Sequence, residues 1–158
     1  MAKLSHLDER GRACMVDVSG KPRTIREAVA RARVVLAPAT FRLVRGGALA
    51  KGDVLTVAQL AGIQAAKRTS ELIPLCHPIA LTHVEVTLTL DETGHTVEIA
   101  ATCRTTGETG VEMEALTAAA TAALTVYDMC KAVERGIRIT DLRVVRKRGG
   151  KSGDFEGE

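Results

Sequence analysis

Six polar side chains recur at helical spacing between Gly110 and Gly136 (GVEMEALTAAATAALTVYDMCKAVERG): Glu114, Thr117, Thr121, Thr125, Asp128 and Lys131. At about 3.6 residues per turn they fall in one stripe about 120° wide, with Glu112 pointing roughly the opposite way. A solvated helix face is usually dressed in Lys, Glu and Arg. Three threonines framed by two carboxylates and a lysine read instead as a face covered by another copy of the chain; for the threonines alone, an uncharged solvated face explains the pattern as well. Asp128 and Lys131 stand three residues apart, the spacing of an ordinary helix-stabilising ion pair. In an apolar neighbourhood the same lysine would have a lowered pKa and could serve as an acid or base. Glu114 and Asp128 share the face but lie about 21 Å apart along the axis. They cannot flank one reacting bond within one helix. Either a long ligand touches both, or neighbouring subunits supply the two ends of a shared site.

Other groups capable of chemistry sit on loops. His77 lies between Pro74 and Pro78 in PLCHP, and the two prolines stiffen the loop that presents it. A neutral imidazole suits proton transfer near pH 7, although loop histidines are often structural. Lys51 precedes Gly52-Asp53 near a helix start and, taken alone, reads as a solvated lysine. Arg23, Arg26, Arg31 and Arg33, with Arg143, Arg146, Lys147, Arg148 and Lys151, form either a phosphate-binding collar or a solubilising surface.

The elements that must position these groups are legible from periodicity. Ala13–Val18 reads as a short strand. Thr24–Leu36 could be a helix beginning TIREA, but Ala28, Ala30, Ala32 and Val34 alternate with Arg31, Arg33 and Val35, which favours a strand; the two strands together are expected to form a hairpin. Pro38–Gly47 reads as a short helix ended by Gly46-Gly47. Thr56–Leu72 reads as a helix with Val57, Leu60, Ile63 and Ala66 toward a core. His83–Leu90 and His95–Cys103 alternate strictly around the turn Asp91–Gly94. The long helix follows, then a strand over Ile137–Val145. This order predicts an α+β ferredoxin-like βαββαβ sandwich, an antiparallel sheet with helices on one face, preceded by an N-terminal β-hairpin. One domain over residues 1–158 is expected, with 1–12 and 148–158 as flexible tails.

Bulk composition narrows the classes. The chain has 158 residues, 46% hydrophobic and 26% charged, which fits one soluble globular domain. Only 2% is aromatic, so the core must be built from small aliphatic residues, a mild argument for oligomerisation. A net charge of +3 does not demand nucleic acid. Cys14, Cys76, Cys103 and Cys130 form no C-x-x-C pair, so no metal site is expected and the thiols read as reduced and cytoplasmic. No apolar leader or long apolar span stands in the sequence, so secretion and membrane insertion are not expected. Gly150-Lys151-Ser152 resembles the end of a P-loop, but Val145 stands where its first glycine belongs. The strands lack the stacking aromatics of RNA-recognition domains.

Seven blocks taken together resemble a known family. MVDVS (Met15–Ser19), KGDV (Lys51–Val54), GIQAAKRT (Gly62–Thr69), LIPLCHP (Leu72–Pro78), TGVEMEALTA (Thr109–Ala118), YDMCKA (Tyr127–Ala132) and GGKSGDF (Gly149–Phe155) are similar, in order and over nearly the whole chain, to molybdenum-cofactor biosynthesis protein C, the cyclic pyranopterin monophosphate synthases. The resemblance implies a ferredoxin-like subunit assembled as a homohexamer, a trimer of dimers, with sites at subunit interfaces. It implies the substrate 3′,8-cyclo-7,8-dihydro-GTP, converted to cyclic pyranopterin monophosphate with release of pyrophosphate. It further implies Asp128 and Lys131 as the central acid–base pair, with Lys51, His77, Glu112 and Glu114 completing the catalytic set. Leu75, Cys76, His77, Met113, Glu114, Arg26 and Lys147 would bind substrate. No redox cofactor is required by this chemistry, and Mg²⁺ would enter only with the phosphates.

Overall fold

The computed structural model describes residues 6–157. Strand β1 (Thr24–Val35) shows why the sheet buries one face: Ala28, Ala30, Ala32 and Val34 are all at most 2% exposed, while Arg31 and Arg33 between them reach solvent. Period-2 alternation thus puts Ala28, Ala30, Ala32 and Val34 on one side. Helices α1 (Pro38–Arg45), α2 (Val54–Ala66) and α3 (Thr69–Leu72) follow, then the hairpin of β2 (His83–Asp91) and β3 (Thr96–Gly107). Helix α4 (Glu112–Cys130) leads to β4 (Arg138–Arg148) and a two-residue β5 (Phe155–Glu156). The sheet order is β2-β3-β1-β4-β5, with every pairing antiparallel. With α2 and α4 packed on the sheet, this is the ferredoxin-like α+β sandwich.

The helical layer sits close because its contact residues are small. Ala115, Ala118, Ala119, Ala122 and Ala123 of α4 are fully buried, and α4 lies over β1, β3 and β4. Helix α2 packs beside α4 through Gly62, where an added Cβ would come within 2.9 Å of the Ala118 carbonyl oxygen. The face of α2 that turns inward is therefore Val54, Ala58, Gly62, Ala65 and Ala66, not the expected Val57 and Leu60, which stay 42% and 58% exposed. Close approach of two helices selects the small stripe over the bulky one.

Other expectations are also corrected. Ala13–Val18 forms no strand, and there is no hairpin with β1. Both edges of β1 are taken, by β3 and β4, and among the described residues before β1 the pairing seen is a Leu7–Ala13 bridge. The helix expected over Thr56–Leu72 is two helices, broken at Lys67-Arg68. The long helix stops at Cys130, whose carbonyl accepts from both Val133 and Glu134 as the chain turns toward β4. Lys131 is thus its C-cap. The last strand runs past Val145 to Arg148, and Phe155–Glu156 pairs with Arg146 and Lys147. Residues 1–5 of the expected N-terminal tail lie outside the described residues.

Candidate active site

The candidate residues gather at the two ends of α4. At its C-terminal end Gly52, with φ +94°, turns the chain, and Asp53 caps α2 by accepting from Thr56 N at 3.1 Å. Lys51, just before this turn, reaches across to α4. Its Nζ donates to the Asp128 carbonyl at 2.9 Å and to Asp128 Oδ2 at 3.1 Å. Lys131 Nζ lies 2.6 Å from the other carboxylate oxygen, Oδ1. One carboxylate therefore holds two ammonium groups at a helix C-terminus, where cations are favoured. Hydrogen bonds from Lys131 and then Lys51 hold the Asp128 carboxyl below its usual range. The idea of a Lys131 with lowered pKa is overturned: its neighbourhood is not apolar, and the hydrogen bond to Asp128 raises it. The trio is open to solvent in the single chain, with Lys51, Asp128 and Lys131 side chains 46%, 56% and 52% exposed.

At the N-terminal end, the first turn of α4 supplies Glu112, Met113 and Glu114, and the proline-clamped loop supplies Leu75, Cys76 and His77. These residues line one cavity of about 200 Å³. His77 Nε2 lies 2.7 Å from the Val16 carbonyl; a carbonyl only accepts, so Nε2 is the donor. The segment before β1 is thereby tied to the loop. Glu114 is buried, and burial, with Glu112's charge adding to it, pushes its pKa up to about 7. Burial also raises the Cys76 thiol, and Glu114 reinforces that shift. Such a cysteine is a poor nucleophile.

Arg26 and Lys147 complete this end. Arg26 shares the parity of Ala28 and Ala30, so it points to the helical side of the sheet and is 8% exposed. Lys147 Nζ lies 3.2 Å from Glu112 Oε1. Both residues line a cavity of about 560 Å³ that Glu112 also borders. Strand alternation breaks up the proposed collar of arginines: Arg33 lies on the opposite face with Glu98, and Arg146 there pairs with Glu27. Lys21, Ser152 and Lys151 line the same cavity as Arg26. Lys21, whose N–H donates to the Val18 carbonyl just before Pro22, was not singled out from sequence. Among the described residues no group of three or more His, Cys, Asp or Glu is placed to hold a metal ion.

The fold therefore brings together Lys51, Asp128 and Lys131, and separately Arg26, Lys147, Glu112, Glu114, Met113 and the Leu75–His77 loop. It does not bring the two groups together within one chain, since fourteen residues of helix hold Glu114 and Asp128 about 21 Å apart.

The family model described as the MoaC family matches residues 15–150. The chain belongs to the MoaC family. It is 60% identical to the "Cyclic pyranopterin monophosphate synthase" of Chloroflexus aggregans, over 99% of this chain and 94% of that protein. It is 62% identical to the protein of the same name from Heliobacterium modesticaldum, over 98% of each. The mouse "Molybdenum cofactor biosynthesis protein 1" is 63% identical over 97% of this chain, which spans 24% of that longer protein. All the candidate residues of this MoaC-family chain, from Arg26 to Lys147, lie inside the matched span.

Proposed function

We propose that this chain is a lyase that acts as a cyclic pyranopterin monophosphate synthase, converting 3′,8-cyclo-7,8-dihydro-GTP to cyclic pyranopterin monophosphate and pyrophosphate in an early step of molybdenum cofactor biosynthesis. The observation that carries this reading is the near-full-length likeness to bacterial proteins of that name. The chemistry of the two clusters supports it. Opening a purine imidazole ring, rebuilding a pterin and closing a cyclic phosphate require proton transfers and charge neutralisation, with no net electron transfer. In the phosphate step a sugar hydroxyl oxygen attacks the α-phosphorus, the bond to the bridging oxygen of the β-phosphate breaks, and the hydroxyl proton passes to a base. Each proton transfer assisted by a placed side chain is worth about 10²–10⁴-fold.

In this reading Asp128, Lys131 and Lys51 work at the rearranging ring system, with His77, Glu112 and Glu114 as further acid–base groups. Leu75, Cys76 and Met113 shape the pocket, and Arg26 and Lys147 neutralise phosphate charge. The site is shared between copies in a cytoplasmic homohexamer, a trimer of dimers. Two features support sharing: the 21 Å or so between the clusters, and the exposure of Leu60 (58%) and Leu124 (59%) on the helical layer. No resident cofactor takes part, and any Mg²⁺ would come with the phosphates. Incubating the purified protein with the cyclised GTP derivative should yield pyrophosphate and the pterin in equal amounts. Binding without release of pyrophosphate would leave only a nucleotide-binding module.

A further inference from the structure

The trio at the C-terminal end of α4 comes from two separate stretches of chain. Asp128 is in the last turn of α4 and Lys131 just past it, whereas Lys51 lies in the connection between α1 and α2. The three side chains are about half exposed, and ion pairs this open hold backbone only weakly. A separate contact has to fix the two stretches relative to one another.

Glu134 makes that contact. Its Oε2 accepts from the Ala37 backbone N–H at 2.9 Å, across 97 positions of sequence. Ala37 is the N-cap of α1, a helix with no side-chain cap of its own and no acidic residue in its first turn. A glutamate three residues into a helix often reaches back to the N-cap N–H. Here a carboxylate from a distant turn takes that place, at the positive end of the helix. Glu134 is held close to the trio. Its own N–H bonds to the Cys130 carbonyl at 3.1 Å, within the turn that begins at Lys131. Tyr127, the residue before Asp128, donates its hydroxyl to the Arg135 carbonyl at 3.4 Å and ties the same turn to α4. On the other side of the contact, α1 ends at Gly46, and the Ala48 N–H bonds back to the Leu43 carbonyl at 3.0 Å shortly before the chain reaches Lys51. The Cys130 thiol marks where the two stretches meet. Burial pushes its pKa up to about 11, the charge of Glu134 adds to the rise and that of Lys51 opposes it, so both charges stand near one sulfur.

We infer that Glu134 is a positioning residue for the Asp128–Lys131–Lys51 trio: by holding the turn after α4 against the start of α1, it sets where the two lysines meet the carboxylate. The bond to Ala37 needs an acceptor oxygen rather than a charge, so glutamine can stand in for glutamate here and alanine cannot. Glu134 touches no reacting atom in this role. Misplacing a catalytic group by about 1 Å can cost about 10²-fold in rate. Losing one exposed tether, with the other contacts of α1 and α4 intact, should cost less. That the trio is catalytic rests on the function proposed above; the tether does not.

Two variants, Glu134→Ala and Glu134→Gln, test this when assayed with the cyclised GTP derivative and by amide hydrogen exchange. Glu134→Ala should lower kcat about 5- to 10-fold with KM within about 2-fold of wild type. Its amides over 36–48 and 131–136 should exchange faster. Glu134→Gln should restore both kcat and exchange toward wild type. Wild-type kcat and exchange in Glu134→Ala would overturn the inference, as would equal losses in the two variants or a rise in KM alone. If Glu134→Ala does not fold, the comparison of Glu134→Gln with wild type decides: matching exchange supports the acceptor role and faster exchange overturns it. If the wild type turns nothing over, the synthase reading fails, and the exchange pattern alone decides the tether.

Discussion

Asp128 has each carboxylate oxygen beside a different ammonium group, Lys131 on Oδ1 and Lys51 on Oδ2. This arrangement keeps Asp128 ionised and aims both lysines. Replacing Asp128 or Lys131 by Ala should lower product formation at least about 10²-fold, while circular dichroism and size-exclusion elution stay those of wild type. Wild-type turnover in either variant would remove the trio from the chemistry. Glu114 gives a second residue-scale test, by pH. Its pKa is raised to about 7 in the folded chain by burial, so between about 4.5 and 7 the native state binds more protons than the unfolded state. Stability then falls as pH rises through that window, by up to about 3 kcal/mol in this one contribution. Urea denaturation across pH 5–8 should show the decline in wild type and a flatter profile in Glu114→Gln. Equal slopes in both would count against a buried, proton-holding Glu114.

At the scale of the elements, close contact between α2 and α4 depends on Gly62. A Cβ there meets the Ala118 carbonyl oxygen at 2.9 Å and both Val86 methyl groups within about 3.3 Å, none at the end of a flexible chain. Gly62→Ala should cost about 1–3 kcal/mol and lower the melting temperature by several degrees, although alanine is the better helix former. A neutral or stabilising result would mean the helices are free to separate. The same contact explains what could and could not be read in the sequence. Strict alternation in HVEVTLTL and in β1 was legible because one face of a sheet must be buried whatever lies against it. The inward face of α2 was not, because Val57 and Leu60 look like core to a hydrophobicity count and only the neighbour's proximity favours Ala58 and Gly62. The imagined N-terminal hairpin failed for a similar reason: local alternation in Ala13–Val18 cannot reveal that both edges of β1 are already occupied by distant strands. Of the candidate site, spacing placed Glu114, Asp128 and Lys131 on one stripe of α4, and their roles came from the family resemblance. Arg26 and Lys147 were likewise named by the resemblance, and the antiparallel register of β1 and β4 is what puts them beside one cavity.

For the molecule as a whole, the two charged groups lie at opposite ends of one helix, and no bend of α4 brings them together. The central claim is that a neighbouring copy closes that gap. Mixing two inactive variants tests it most directly: Asp128→Ala subunits and Lys147→Ala subunits, co-assembled by co-expression, then assayed for pyrophosphate release from the cyclised GTP derivative. A site built from two copies predicts recovered activity, toward about a quarter of wild type for random assembly, because some sites then receive both native residues. Activity no higher than that of either variant alone would place both residues of each site in one chain and contradict the account.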